Sequence, residues 1–331
     1  KVHGPEHPDT ARVLTHLADS YIGLAEYDKA VQLQERVLVI FEKSVGPDDP
    51  LTGQALSNLS LTYSYLSNYK KALSLQLRSL AINEKALGLS HPNIATNFNN
   101  LAEIYRSLAD FDKALYMQQR AVDVAEKVFG VNHPMTMAGS ENLALTYAAM
   151  GQRHKALPIL QGVLIDHQNF YGQNHPIIAN TMSNLAETYR ELAEFEKALP
   201  LQQRALEIYE KAFGSVHPKT AFGLNNLAVT YSQLGLYEKS LPLLERSLEI
   251  NEKIYGGMHH SVATSLNNLA STYSGLGQHE KALSLHQRSL MIDEAVFGHF
   301  HPSTANRLNN LALAFGALRQ PENAILHLKR A

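Results

Sequence analysis

The sequence predicts an all-α chain, a right-handed α-solenoid of about eight helix pairs, and three observations carry that prediction. First, one dipeptide returns at a fixed interval of 42 residues: His7-Pro8, His91-Pro92, His133-Pro134, His175-Pro176, His217-Pro218 and His301-Pro302, with Asp49-Pro50 and His259-His260 in the two remaining places. No insertion or deletion disturbs the spacing. Self-similarity at such a period is the mark of stacked supersecondary units. Second, each interval holds one aromatic at a fixed place, from Tyr21, Tyr63 and Tyr105 through to Phe315, and a small residue nine positions later, from Ala30 and Ala72 to Ser240 and Ala324. Third, apolar residues inside each interval recur at helical spacing. Leu224, Leu227, Ala228 and Tyr231 fall at i, i+3, i+4 and i+7, one face of an amphipathic helix.

The units therefore run over residues 5–46, 47–88, 89–130, 131–172, 173–214, 215–256, 257–298 and a truncated 299–331. In the sixth, Pro218 has a fixed φ and no N–H, which suits a first helical turn. Leu234-Gly235 stops that helix, and a second opens near Tyr237. Gly256 follows the second helix, where a positive φ is wanted. Pro242, like Pro158 and Pro200, is expected within about the first turn of its second helix, where proline is tolerated. Ala228 and Ser240 let the two backbones approach closely. One helix pair cannot bury both its faces, whereas stacked pairs can, with first helices lining a concave side.

The run Leu227-Ala228-Val229-Thr230-Tyr231, followed by Leu234-Gly235, Tyr237, Ser240 and Ser247-Leu248, resembles the tetratricopeptide repeat. The 42-residue form with its Gly-x-x-His-Pro link is similar to the kinesin light chain and nephrocystin-3 group. The resemblance covers the whole chain. It implies the solenoid fold and, for kinesin light chain, cargo-adaptor peptides as ligands. That family's groove is richer in Lys and Arg after the tyrosine, where this chain has Ser107, Ala149, Glu191 and Gln233. Lys1-Val2-His3-Gly4 reads as the tail of a preceding second helix, and Ala331 falls part-way along the last one. A piece of a longer protein is the expectation.

Composition excludes several classes. Lys+Arg number 29 and Asp+Glu 31, a net charge of −2 without a basic stripe, which argues against nucleic acid and anionic membranes as partners. Cysteine is absent, so there is neither a disulfide framework nor a thiol nucleophile. No apolar run approaches the roughly 20 residues that cross a bilayer. The repeated histidines stand two helix-packing distances of roughly 8–10 Å apart, too far to share a zinc at about 2.1 Å per nitrogen. They are read as fixing the turn before each first helix. No nucleophile elbow, phosphate loop or His-Glu-x-x-His occurs. The expectation is a non-enzyme without cofactor or metal, in the cytoplasm.

The candidate ligand surface comes from columns on the first helices. One column is almost uniform asparagine (Asn58, Asn100, Asn226, Asn268, Asn310) and is read as bonding between helices. The column just before it varies in size and charge, as a ligand-reading face should: Asn99, Glu141, Ser183, Asn225, Asn267 and Asn309. One turn further on, Glu103, Glu187 and Val229 extend the stripe, followed by Arg106, Arg190 and Ser232. The asparagines are expected to pair with the backbone of an extended or partly helical peptide, since a carboxamide both donates and accepts. Arg106 and Arg190 would take a carboxylate or carbonyl, held ready by Glu103 and Glu187. A protein-interaction scaffold is the main reading. The alternative is the sensor or regulatory arm of a multidomain switch protein, with an NTPase or protease domain elsewhere. Open ends would also permit end-to-end self-association. In the fourth unit Ser140, Gly162, Asp166, His167 and Gln168 break the apolar pattern, so a softer joint is expected there.

Overall fold

The computed structural model describes residue 4, residues 6–24 and residues 26–331. The expected tail of a preceding helix at residues 1–3 lies outside them. Among the described residues every regular element is a helix. In chain order these are α1 (Pro8–Gly23), α2 (Tyr27–Ser44), α3 (Pro50–Tyr65), α4 (Tyr69–Leu87), α5 (Pro92–Ser107), α6 (Phe111–Phe129), α7 (Pro134–Ala149), α8 (Arg153–Tyr171), α9 (Pro176–Glu191), α10 (Phe195–Phe213), α11 (Pro218–Gln233), α12 (Tyr237–Tyr255), α13 (His260–Gly275), α14 (His279–Phe297), α15 (Pro302–Ala317) and α16 (Pro321–Arg330). The chain forms two compact units, residues 1–170 and 171–331.

Within the first unit α1/α2, α3/α4 and α5/α6 pack as pairs, and α2/α3, α4/α5 and α6/α7 join one repeat to the next. In the second unit α9/α10, α11/α12, α13/α14 and α15/α16 pair, joined through α10/α11, α12/α13 and α14/α15. First helices also touch the next first helix, as α3 touches α5 and α11 touches α13. Each unit is thus the helix-pair solenoid that the periodicity predicts, with the first helices as its tighter layer.

The recurring His-Pro has a specific job. Each histidine is extended in φ and ψ, and its Nδ1 accepts from the backbone N–H two residues on, at 3.2 Å for His91 and Asn93 and 3.0 Å for His301 and Ser303. Asp49 does the same for Leu51 at 2.8 Å. This meets one of the N–H groups that every helix start leaves open, and proline fills the first helical position. Nδ1 accepts only when the ring is neutral with its proton on Nε2. For His133, His175, His217, His259 and His301 the ring stacks on the aromatic four residues earlier, at 4.1 Å for Tyr255–His259 and also for Phe297–His301.

The helix interior follows the same repeat. Leu59, Leu101, Leu185, Leu227, Leu269 and Leu311 are buried, as are the close-approach residues Ala72, Ala114, Ala198, Ser240 and Ala282. A lysine from the second helix lies over each tyrosine of the aromatic column, for example Lys71 over Tyr63 at 4.1 Å and Lys281 over Tyr273 at 5.3 Å. Pro158, Pro200 and Pro242 correct the expected placement. Each is the sixth residue of its helix, in the second turn. All three are exposed, so a carbonyl freed by the missing N–H, such as that of Glu238, meets water.

The fourth repeat shows where its sequence departs. His167 is buried at the position that Phe41, Asn83, Ala125, Tyr209, Asn251 and Asp293 hold in other repeats, and Gly162 sits inside α8 with no atom within 4 Å of where a Cβ would lie. An interior helical glycine is worth roughly 0.5–1 kcal/mol less than alanine. Gly162→Ala is therefore expected to stabilise the chain by up to about 1 kcal/mol, read as a higher denaturant midpoint at unchanged slope. A lower midpoint would show that the space at Gly162 is needed.

Candidate functional site

The twelve residues singled out in the sequence all lie on first helices, but the structure does not expose them equally. Asn99, Glu103 and Arg106 share α5, with Glu103 exposed and the other two half-buried. Glu141 is half-buried on α7. Arg106 stands 3.9 Å from Glu103. On α9 the pair is tighter: Arg190 donates through Nε to Glu187 Oε2 at 2.9 Å and through Nη2 to Oε1, so two of its donors are already engaged. Val229 is half-buried on α11 and Asn309 is exposed on α15.

Two members need correction. Ser183 is 5 % exposed and its hydroxyl donates to Ala179 O, and Asn267 is 7 % exposed. For Asn267 the reason is the asparagine column beside it. Asn268 donates to Asn225 Oδ1 at 2.8 Å, Asn310 donates to Asn267 Oδ1 at 2.9 Å, and Asn100 donates to Ser57 Oγ at 3.1 Å. Each asparagine thus reaches back to the column residue of the previous first helix and occupies its acceptor. Asn99 Oδ1 likewise accepts from Gln118. Ser232 is held by Ser240 at 2.7 Å and Thr272 at 2.9 Å. The near-uniform column bonds between helices as expected, and in doing so takes up much of the hydrogen-bonding capacity expected for a ligand.

Open space lies one step away, in clefts between successive first helices, each floored by a residue of the second helix. The same cleft occurs at three repeat junctions. Between α1 and α3 it measures about 200 Å³, with Arg12 and His16 at its side and Val37, Phe41 and Ala55 within. Between α3 and α5 it measures about 260 Å³ and is lined by Gln54, Ser57, Asn58, Asn83, Asn93, Thr96 and Asn97. Between α11 and α13 it measures about 190 Å³, and its polar walls include Asn225, Asn251, His260, Thr264 and Ser265. Phe41, Asn83 and Asn251 are the same repeat position, as are Ala55, Asn97 and Ser265 fourteen residues later. The sequence reading missed this floor because it drew the ligand surface from first helices alone. The available signal was a column whose character changes from repeat to repeat, Phe41, Asn83, Ala125, His167, Tyr209, Asn251 and Asp293, matched by a change fourteen residues on.

At other junctions the same two positions are sealed. Tyr209 is fully buried, and a Cβ on Gly223 would approach its ring to 3.1 Å, so the aromatic occupies the space that glycine vacates. Asp293 is fully buried and accepts from Arg307 Nε at 2.9 Å and from His260 Nδ1 at 3.0 Å, while Arg307 also donates to Thr264 at 3.1 Å. His286, beside this pair, is 4 % exposed and its Nδ1 has no partner. Burial, then the Arg307 charge, pushes its pKa down to about 4. Among the described residues no three His, Cys, Asp or Glu side chains are placed to hold a metal ion, and no helix is long and apolar enough to cross a membrane.

Comparison with known proteins agrees with this architecture. A tetratricopeptide repeat model matches seven overlapping stretches, 9–85, 55–127, 93–161, 135–211, 178–253, 219–295 and 261–331. Among solved structures, the nearly identical repeats of a putative kinesin light chain from Podosopora anserina are 25% identical with a TM-score of 0.51, covering 62% of this chain and 97% of that one. BtubC (BKLC) from P. vanneervenii is 21% identical with a TM-score of 0.55, covering 72% and 92%. The apo quorum sensor NprR from B. thuringiensis is 13% identical with a TM-score of 0.66, covering 99% and 87%. No curated protein matches the chain.

The lowered pKa of His286 gives stability a defined pH dependence. The folded state holds this ring neutral to about pH 4, whereas the unfolded chain protonates it near 6.5. Its contribution is therefore complete above pH 6.5 and is lost as pH falls from 6.5 to about 4, by about 3 kcal/mol in all. His286→Gln places here the residue found at Gln34, Gln76, Gln118 and Gln202. Denaturation from pH 7 to 4 should show a shallower loss in this variant, and parallel curves would mean that His286 is not the titrating group.

Proposed function

The chain belongs to the tetratricopeptide repeat family, a protein-interaction or regulatory scaffold type, and from that premise we propose that it binds an extended or partly helical peptide segment along its first helices. The observation that carries this is the repeated cleft, one geometry with a different lining at each of three junctions. A peptide laid across such clefts would place successive side chains in successive repeats, and specificity would follow from the lining. The exposed Glu103, the half-buried Arg106 and the exposed Asn309 sit on the same helix faces and would engage the peptide between clefts. Arg106 is the better placed of the two arginines, because its glutamate is 3.9 Å away and leaves its donors available. The buried Ser183 and Asn267 have no direct part in this reading. The scaffold acts through binding, without chemistry of its own, and the cytoplasm is the compartment in this reading.

The test is selection of binders from a random peptide library, followed by affinities for Asn58→Arg, Arg106→Glu and Asn309→Lys against a second-helix control, Glu249→Lys. Each peptide is expected to lose about tenfold or more in affinity, 1.4 kcal/mol, on at least one of the three, and nothing on the control. Peptides indifferent to all three would overturn the reading. A chain that selects no peptide would leave the regulatory arm as the better account.

A further inference from the structure

We propose that the cleft between α11 and α13 takes the carboxylate side chain of a residue in the bound peptide, and that His260 takes up a proton as the carboxylate enters. This rests on the peptide-binding reading and gives one cleft a definite chemistry. At the position of His260 the other seven first helices carry proline, as at Pro176, Pro218 and Pro302. The capping role stays with His259, whose Nδ1 accepts from the Ser261 N–H at 3.1 Å. His260 reaches sideways instead. Its Nδ1 lies 3.0 Å from Oδ1 of the fully buried Asp293, whose Oδ2 accepts from Arg307 Nε at 2.9 Å. A carboxylate that accepts from a guanidinium keeps its negative charge, so Nδ1 of His260 carries a proton and donates. This is the opposite tautomer to that of the capping histidines. Phe297 meets the ring edge-on at 4.8 Å between centroids and holds its plane. The nitrogen left over is Nε2. Among the described residues it has no hydrogen-bond partner, and it belongs to a side chain that is 36 % exposed and lines the cleft.

Charge decides what Nε2 receives. With the ring neutral, Asp293 and Arg307 cancel. With the ring protonated, two cations share one carboxylate, and one positive charge is left uncompensated at the cleft. A singly charged anion restores the balance. The described residues lining the cleft include no Asp, Glu, Lys or Arg, so neither a competing anion nor a second cation stands there. The titratable and charged groups around His260 are Asp293 on α14, Arg307 on α15, Tyr255 on α12 and His259 beside it. Lys219 on α11 is turned to Asn180 at 3.1 Å. Asn225 adds a second donor to the cleft. Its Oδ1 accepts from Asn268 at 2.8 Å, which leaves its Nδ2 for a ligand. A carboxylate would accept from the imidazolium Nε2 and from Asn225 Nδ2, and charge-assisted bonds of this kind are the stronger ones. A neutral ring would set its Nε2 lone pair against the same oxygen, so anion and proton enter together. The cleft between α3 and α5 has Pro92 in place of His260 and no ionisable side chain in its described lining. The chain itself thus carries a version of the cleft without the charge.

The experiment titrates the full ¹⁵N-labelled chain with N-acetylglutamate methylamide and N-acetylglutamine methylamide at about pH 8 and about pH 6, the range over which imidazoles titrate. NMR follows the ring of His260 and the side-chain amide of Asn225. The folded chain keeps His286 neutral over this range. The expected result is a saturable shift at both residues with the glutamate probe, a Kd about tenfold lower at the acid end, and a protonated His260 ring in the complex. The glutamine probe should not tighten as pH falls. His260→Pro installs the residue of the other repeats and should weaken the glutamate probe about tenfold at the acid end and remove its pH dependence. Should that variant fold poorly, His260→Gln keeps a neutral polar side chain and should do the same. No saturable shift with glutamate, a glutamate Kd that does not change with pH, or a glutamine probe that binds as tightly at the acid end would overturn the proposal. Groove peptides selected from the library that leave the His260 ring unshifted would remove the carboxylate site and keep the peptide reading. A saturating glutamate probe in a chain that selects no peptide would do the opposite.

Discussion

A second helix in this repeat can bury its apolar face only beneath the first helix of the repeat that follows, and the rest of each unit depends on that junction. The contact falls on residues fourteen apart, and their side chains are chosen as pairs. Phe41 meets Ala55 in one apolar cluster. Asn83 donates to Asn97 and Asn251 to Ser265, at 2.7 and 2.9 Å. Tyr209 fills the room left by Gly223, and Asp293 meets Arg307. Large opposes small, amide opposes amide or hydroxyl, and acid opposes base. A register slip by one repeat in the second unit would set the fully buried Asp293 against Ser265. Leaving a buried charge without its partner costs about 3–5 kcal/mol, so repeats that share one backbone are not interchangeable in their order.

The caps impose a second condition of the same kind. Seven first helices begin on a histidine whose Nδ1 accepts a backbone N–H. All seven rings must be neutral for this to hold. Burial, and then the neighbouring His260, lowers the pKa of His259. His286 works in the same direction from inside the last junction. Stability in this chain is therefore weighted toward neutral pH through the buried His259 and His286.

The fold was legible because its determinants are local and repeated. His-Pro, the close-approach alanine and the buried leucine column each recur at 42 residues, and each has one structural job. The candidate site was legible only in part. Its helices were identified correctly, yet Ser183 and Asn267 proved buried. Neighbouring residues on a helix differ by about 100°, and sequence alone does not say which of two adjacent columns the next helix covers. For Asn267 the answer depended on Asn310 reaching back by 43 residues, a contact between repeats rather than within one. The lysines over the tyrosines went unremarked because a regularly spaced surface cation reads as solvation. The cleft floor was missed because Asn83 and Asn251 belong to second helices.

That last omission points to how a scaffold of this type acquires specificity. The floor position has two duties, since it closes the junction behind it and lines the cleft in front. An aromatic there, as Tyr209 against Gly223, seals the space and serves packing. An amide there gives up apolar burial worth about 25 cal/mol per Å² and must be hydrogen-bonded to be tolerated. Asn83 meets that demand in part through Asn97, while its oxygen packs against Gly53. Exposed columns can change freely between repeats because they constrain nothing behind them. The floor changes only together with its partner fourteen residues on, so its chemistry is held by the fold itself.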